Sequence, residues 1–103
     1  MPTSIDSEKM EEIQGSDQTW VIDFWADWCA PCKKYAPQFK EAAEELETVE
    51  FGKVDMEENQ QIGTQLGVRS LPTTLIIRNG EEVARKSGVL KKDELVSWIK
   101  ENA

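Results

Sequence analysis

Between Thr19 and Ala26 the chain reads Thr-Trp-Val-Ile-Asp-Phe-Trp-Ala, a run that is almost wholly apolar, β-branched or aromatic. Such a run suits a strand buried on both faces of a sheet, so the fold must cover it from two sides. Asp23 is the only charged residue inside it. Past this strand the spacing turns helical: Tyr35, Ala36, Phe39, Ala42, Ala43 and Leu46 recur on one side, with Lys40, Glu41, Glu44 and Glu45 between them. Pro37 lies inside this helix and is expected to kink it.

The alternation continues downstream. Val49 to Val54 reads as a second strand, and Asn59 to Leu66 as a short helix stopped by Gly67. Pro72 precedes a third strand, Thr73 to Ile77, and Asn79-Gly80 joins it to Glu82 to Ser87 as a hairpin that Gly88 ends. A last helix spans about Lys92 to Glu101, with Leu95, Trp98 and Ile99 on one side, and Ser4 to Ile13 carries a weaker helical signal. The fold class is therefore α/β, a mixed sheet parallel in its first part with an antiparallel hairpin at its edge and helices on both faces. At 103 residues, with no repeat or low-complexity linker, the chain is expected to form a single domain over 1–103.

Composition narrows the function classes. Twenty acidic against 12 basic residues give a net charge of −8, which disfavours nucleic acid and anionic membrane surfaces as partners. No apolar run is long enough to span a bilayer, and Met1 to Gly15 lacks the basic, apolar and small-residue succession of a secretory signal, so a cytoplasmic location is expected. With two cysteines and no histidine, one chain does not supply the four ligands of a closed zinc site, and no metal is expected. A bridge between Cys29 and Cys32 closes too short a loop to matter much for stability. The pair has to be explained by chemistry.

The segment Trp28-Cys29-Ala30-Pro31-Cys32-Lys33 starts just where the first long strand gives way to its helix. Ligand sites of such sheets gather at strand C-termini. Two sulfurs three residues apart on a first helical turn face each other and can close a disulfide reversibly. Cys29 at the helix start is favoured as a thiolate by unpaired backbone N–H groups and the helix dipole, which makes it the nucleophile. Pro31 fits an early helical position, and Cys32, one turn in, suits the resolving role. Two structural thiols or half of a metal site are the alternatives, and a Cys-x-x-Cys pair beside a βαβ pattern favours redox chemistry over both.

Val21 to Lys33, with Pro37, Lys53, Arg69-Ser70-Leu71-Pro72-Thr73, Asn79-Gly80 and Gly88, resembles the thioredoxin family in order and spacing over most of the chain. Only the first fifteen or so residues match poorly, so the family's first strand is expected to be cut to a few residues around Ser4-Ile5 or to be absent. The resemblance implies a protein-disulfide reductase cycling between a Cys29/Cys32 dithiol and disulfide, with no cofactor beyond that pair. It implies that Asp23 is a buried carboxylate, raised by desolvation, that takes a proton from Cys32, and that Lys53 pairs with it and offsets part of the rise. It implies that Leu71-Pro72 is a cis-proline turn and that Trp28, Pro31, Leu71, Pro72, Gly88 and Val89 form an apolar patch for protein substrates around Cys29. Ala30 stands where the family most often has glycine and Lys34 where an apolar residue is common; residues between the cysteines tune the potential. The implied partners are disulfide-containing proteins and a thioredoxin reductase, flavin- or ferredoxin-linked, acting on a monomer. Other classes stay open on the sequence: a binding or chaperone-like module with incidental cysteines, a glutathione-dependent enzyme of the glutaredoxin kind, from which Trp28 points away, and a cluster bridged between two chains.

Overall fold

The computed structural model describes all residues, Met1 to Ala103. In chain order the elements are β1 (Thr3–Ser4), α1 (Ser7–Gln14), β2 (Thr19–Trp25), α2 (Ala30–Glu45), β3 (Glu50–Asp55), α3 (Gln60–Leu66), β4 (Thr73–Arg78), β5 (Glu81–Ser87) and α4 (Lys92–Asn102). They build one five-stranded sheet in the order β1-β3-β2-β4-β5. The pairs β1/β3 and β2/β3 are parallel, while β2/β4 and β4/β5 are antiparallel. This is the mixed sheet with an antiparallel edge that the spacing predicts.

Strand β2 lies at the centre and is buried on both sides, and its alternation explains how. Trp20, Ile22 and Phe24 join Met10 and Ile13 of α1 and Ile62 of α3 in one core, together with Ile5, Val54, Leu75 and Ile77. Val21 points the other way, into a second core with Tyr35, Phe39 and Ala42 of α2, Leu95, Val96 and Ile99 of α4, and Phe51 and Ile76. Ile22 and Phe24 are fully buried, and each such side chain contributes about 1.5–3 kcal/mol over leaving it in water.

Two local outcomes differ from the periodicity. The first helix begins at Ser7, not Ser4, because the Asp6 carboxylate caps it by accepting the Lys9 N–H at 2.8 Å. The residues before it are drawn into the sheet: Thr3 and Ser4 face Gly52 and Lys53, and the Ile5 N–H donates to the Lys53 carbonyl at 2.9 Å. The first strand is therefore present, cut to two residues. Gly52 is bare because the Ile5 side chain fills the place a Cβ would take. At the hairpin, Asn79 and Gly80 both have positive φ, 53° and 79°, the geometry that the Asn-Gly pair favours. Helix α2 runs from Ala30 to Glu45 with Pro37 inside it.

Candidate active site

Strand β2 ends at Trp25, and the chain turns through Ala26 to Trp28 before α2 begins at Ala30. The turn is closed by the Cys29 N–H donating to the Ala26 carbonyl at 3.1 Å. Cys29 is the N-cap of α2, with extended backbone, and its Sγ accepts the Cys32 N–H at 3.3 Å. A sulfur at that place receives one of the helix's unpaired donors, an arrangement that favours negative charge on it once the bond is reduced. Pro31 follows in the first turn, where its missing N–H leaves no gap. The two sulfurs are bonded, with Cα atoms 5.3 Å apart.

Exposure does not separate the two cysteines in this oxidised state. Cys29 is 4% and Cys32 3% exposed, so both are sealed while the bond between them is closed. Both pack against Ala26, with Trp25 and Leu71 alongside. What separates them is the position at the helix cap and the hydrogen bond that Cys29 alone accepts through sulfur.

Around the pair, the Leu71–Pro72 peptide bond is cis, as the resemblance implies. The Pro72 carbonyl accepts the Gly88 N–H at 2.8 Å, which ties this turn to the end of β5, where Gly88 adopts a φ of 93°. Leu71 is half-buried against the cysteines, and neither its N–H nor its carbonyl is bonded to another backbone group. Pro72 is buried, Gly88 half-buried, and Ala30 and Pro31 exposed. Trp28 is 72% and Val89 43% exposed, so Val89 is a surface residue and not a core one. Beside Trp28 lies a hollow of about 440 Å³ lined also by Met56, Val68, Arg69 and Leu71. Met56 and Val68 belong to the surroundings of the site although their sequence context is that of ordinary packing residues. A larger hollow of about 710 Å³ is lined by Ile5, Trp25, Pro37 and Lys53 among others. Neither hollow is lined by a cysteine; the smaller one has on its wall Trp28, the chain neighbour of Cys29, and Leu71, which packs against the pair.

Asp23 is completely buried, and neither carboxylate oxygen has a hydrogen-bond partner. Burial raises its pKa from 3.8 to about 7, against a lowering by the Lys53 charge. Lys53 stands opposite Asp23 in the β2/β3 register, yet it does not pair with it. Its ammonium sits over the Trp25 ring, 4.8 Å from the centroid, a cation–π contact. The expected ion pair is thus corrected to a charge acting at a distance. On the other side of Asp23 the register brings Thr74, whose hydroxyl lies 2.7 Å from the Tyr35 hydroxyl. Sequence reasoning gave these two no role beyond helix face and strand. Nothing in their local spacing links residues 39 positions apart.

Comparison with known proteins agrees with this geometry. A family model described as thioredoxin matches residues 3–101. The thioredoxin of Rickettsia bellii is 39% identical over 93 residues, 89% of each chain. That of Mycoplasma pneumoniae is 39% identical over 100 residues, 96% of this chain and 98% of the other. Among solved structures, Malassezia sympodialis thioredoxin superposes with a TM-score of 0.86 at 31% identity, covering 99% of this chain and 90% of that one.

Proposed function

The chain belongs to the thioredoxin family and is a thiol-disulfide oxidoreductase of the protein-disulfide-reductase type; from that premise we propose how its residues divide the work. The Cys29 thiolate attacks one sulfur of a substrate disulfide: a Cys29–substrate bond forms, the substrate S–S bond breaks, and the first substrate thiolate leaves and takes up a proton. The Cys32 thiol then gives its proton to the Asp23 carboxylate, directly or through a water, and attacks the Cys29 sulfur. The Cys29–Cys32 bond forms, the Cys29–substrate bond breaks, and the second substrate thiolate leaves and is protonated. The substrate has gained two electrons and two protons, and the enzyme is left as the disulfide.

The observation that carries the reading is the Cys29 sulfur at the cap of α2, accepting the Cys32 N–H inside a closed disulfide. Lys53 tempers the proton affinity of Asp23 through its charge. The substrate seat is supported by the unbonded backbone of Leu71 at the cis turn, to which an extended peptide can pair, and by the exposed Trp28 with its hollow. Ala30, Pro31, Pro72, Gly88 and Val89 complete the rim. Disulfide-containing proteins are the substrates, and a thioredoxin reductase returns two electrons and two protons to the pair. We place this activity on a monomeric single domain in the cytoplasm, since a reductase whose only cysteines are the redox pair suits a reducing compartment. No helix is long and apolar enough to cross a membrane.

Reduction of insulin disulfides driven by dithiothreitol tests the assignment. Cys32→Ser is expected to accumulate a mixed disulfide with substrate through Cys29, and Cys29→Ser to accumulate none. Trapping by Cys29→Ser, or turnover without Cys29, overturns the roles given to the two sulfurs.

A further inference from the structure

Asp23 is one member of a buried polar row. Lys53 on β3, Asp23 on β2 and Thr74 on β4 hold facing register positions, and facing residues project from the same side of a sheet. That side is covered by α2, whose Tyr35, one turn beyond Cys32, reaches the row with its hydroxyl 2.7 Å from that of Thr74. Asp23, Thr74 and Tyr35 are all 0% exposed. The rest of this core is apolar: Val21, Phe39, Phe51 and Ile76 surround it. Phenylalanine at 35 and valine at 74 would fill much the same space, so packing alone does not call for two hydroxyls here.

Each hydroxyl carries one proton and can accept others. A single hydrogen bond between the two uses one proton and leaves the second without an acceptor in the pair. Beside them stand the two carboxylate oxygens of Asp23, buried acceptors with no partner. Buried donors and acceptors are seldom left apart when a small side-chain rotation joins them.

We infer that the Tyr35–Thr74 hydroxyl pair is a positioning pair for Asp23: it holds the spare O–H that turns to the carboxylate when Asp23 ionises, and so sets the proton affinity with which Asp23 receives the proton of Cys32. The inference rests on the reading of Asp23 as proton acceptor given above. The charged and titratable groups facing Asp23 are few. They are Lys53 from β3 and Tyr35 from α2; β4 contributes the uncharged Thr74, and exposed Lys86 of β5 lies one strand further out. Tyr35 and Asp23 already sense each other. Burial pushes the Tyr35 phenol above its ordinary range, the Thr74 hydrogen bond works against this, and the Asp23 charge adds to the rise.

The test is the titration of the Asp23 carboxyl by carbon-13 NMR in the oxidised protein, its signal identified by loss in Asp23→Asn. Thr74→Val removes the hydroxyl that faces Asp23, so the midpoint is expected to rise by about half a unit or more, and Tyr35→Phe removes the bond that orients and polarises that hydroxyl, so the midpoint is expected to rise by less. Thr74→Ser keeps the hydroxyl and is expected to titrate like the native chain. The double variant Tyr35→Phe, Thr74→Val should rise no further than the larger single change, because the pair acts as a unit. Denaturant midpoints recorded alongside separate the structural effect, which a mere packing pair would show without moving the titration. An unmoved or lowered midpoint in folded Tyr35→Phe overturns the inference, and this near-isosteric change decides the matter if Thr74→Val does not fold. Resolution of a mixed disulfide by Asp23→Asn isolates the underlying reading: native speed there defeats Asp23 as acceptor, whereas slowed resolution with an unmoved Tyr35→Phe midpoint defeats only the hydroxyl pair.

Discussion

Asp23 and Lys53 face each other across β2 and β3, yet the lysine ammonium rests on the Trp25 ring and the carboxylate stays unpartnered. The length of the lysine side chain explains the split: its stem leaves the row and carries the charge to the half-buried rim, while the short aspartate is sealed under α2. A direct ion pair would hold Asp23 ionised well below neutrality. A charge acting at a distance only tempers the desolvation, so the carboxyl comes to about 7, where it can take and return a proton near neutral pH.

This placement makes Asp23 a destabilising residue at neutral pH. Below about pH 4 the carboxyl is protonated in both folded and unfolded chains. Between there and about pH 7 the folded state keeps a proton that the unfolded chain has lost, so stability falls as pH rises and levels off above the folded value. The interval from 3.8 to about 7, at about 1.4 kcal/mol per unit, corresponds to on the order of 4 kcal/mol. Asp23→Ala should therefore be more stable than the native chain at pH 8, with the gain shrinking towards pH 4, and should resolve mixed disulfides more slowly. Urea midpoints of both proteins at the two pH values check this. An Asp23→Ala variant less stable at pH 8 refutes it.

Lys53 provides a second handle on the same group. Because its charge lowers the Asp23 pKa, Lys53→Met should raise the midpoint above about 7 while keeping an apolar stem on Trp25. The pH at which resolution reaches half its maximal rate should move up with it, since the carboxylate form is the acceptor. Stability above neutral pH should drop below that of the native chain, as the buried charge loses its only nearby countercharge. Carboxyl titration and a pH–rate profile measure the two shifts, and a midpoint that stays or falls excludes Lys53 as the tempering charge.

What could be read from the sequence was whatever depends on near neighbours. The two-faced burial of β2, the Cys29 cap with Pro31 behind it and the Asn79-Gly80 turn all follow from residues a few positions apart. What could not be read depends on partners brought together by the sheet. Thr3 and Ser4 are a strand only because Gly52 and Lys53 accept them, and their own sequence favours nothing so short. The burial of Cys29 follows from its packing with Ala26, Trp25 and Leu71. The Lys53–Trp25 contact and the Tyr35–Thr74 bond hang on where side chains end. Periodicity assigns a residue to a face and does not say which group its tip will meet.

Trp28 is the clearest test of the docking surface. A large aromatic side chain left 72% exposed next to a buried redox pair contributes little to folding, whereas the hollow it forms with Met56, Val68 and Leu71 offers a protein substrate an apolar seat. Aromatic anchors of this kind are worth about 1–2 kcal/mol or more when truncated at an interface, so Trp28→Ala should raise the KM for a protein disulfide roughly tenfold. Its thermal midpoint should stay near the native value, and so should its reaction with a small disulfide too short to reach the hollow. The split between the two substrates carries the argument, because damage to the Cys29 cap would slow both. Equal losses with insulin and with the small disulfide would place Trp28 in the support of the cysteines and leave the docking role without a residue.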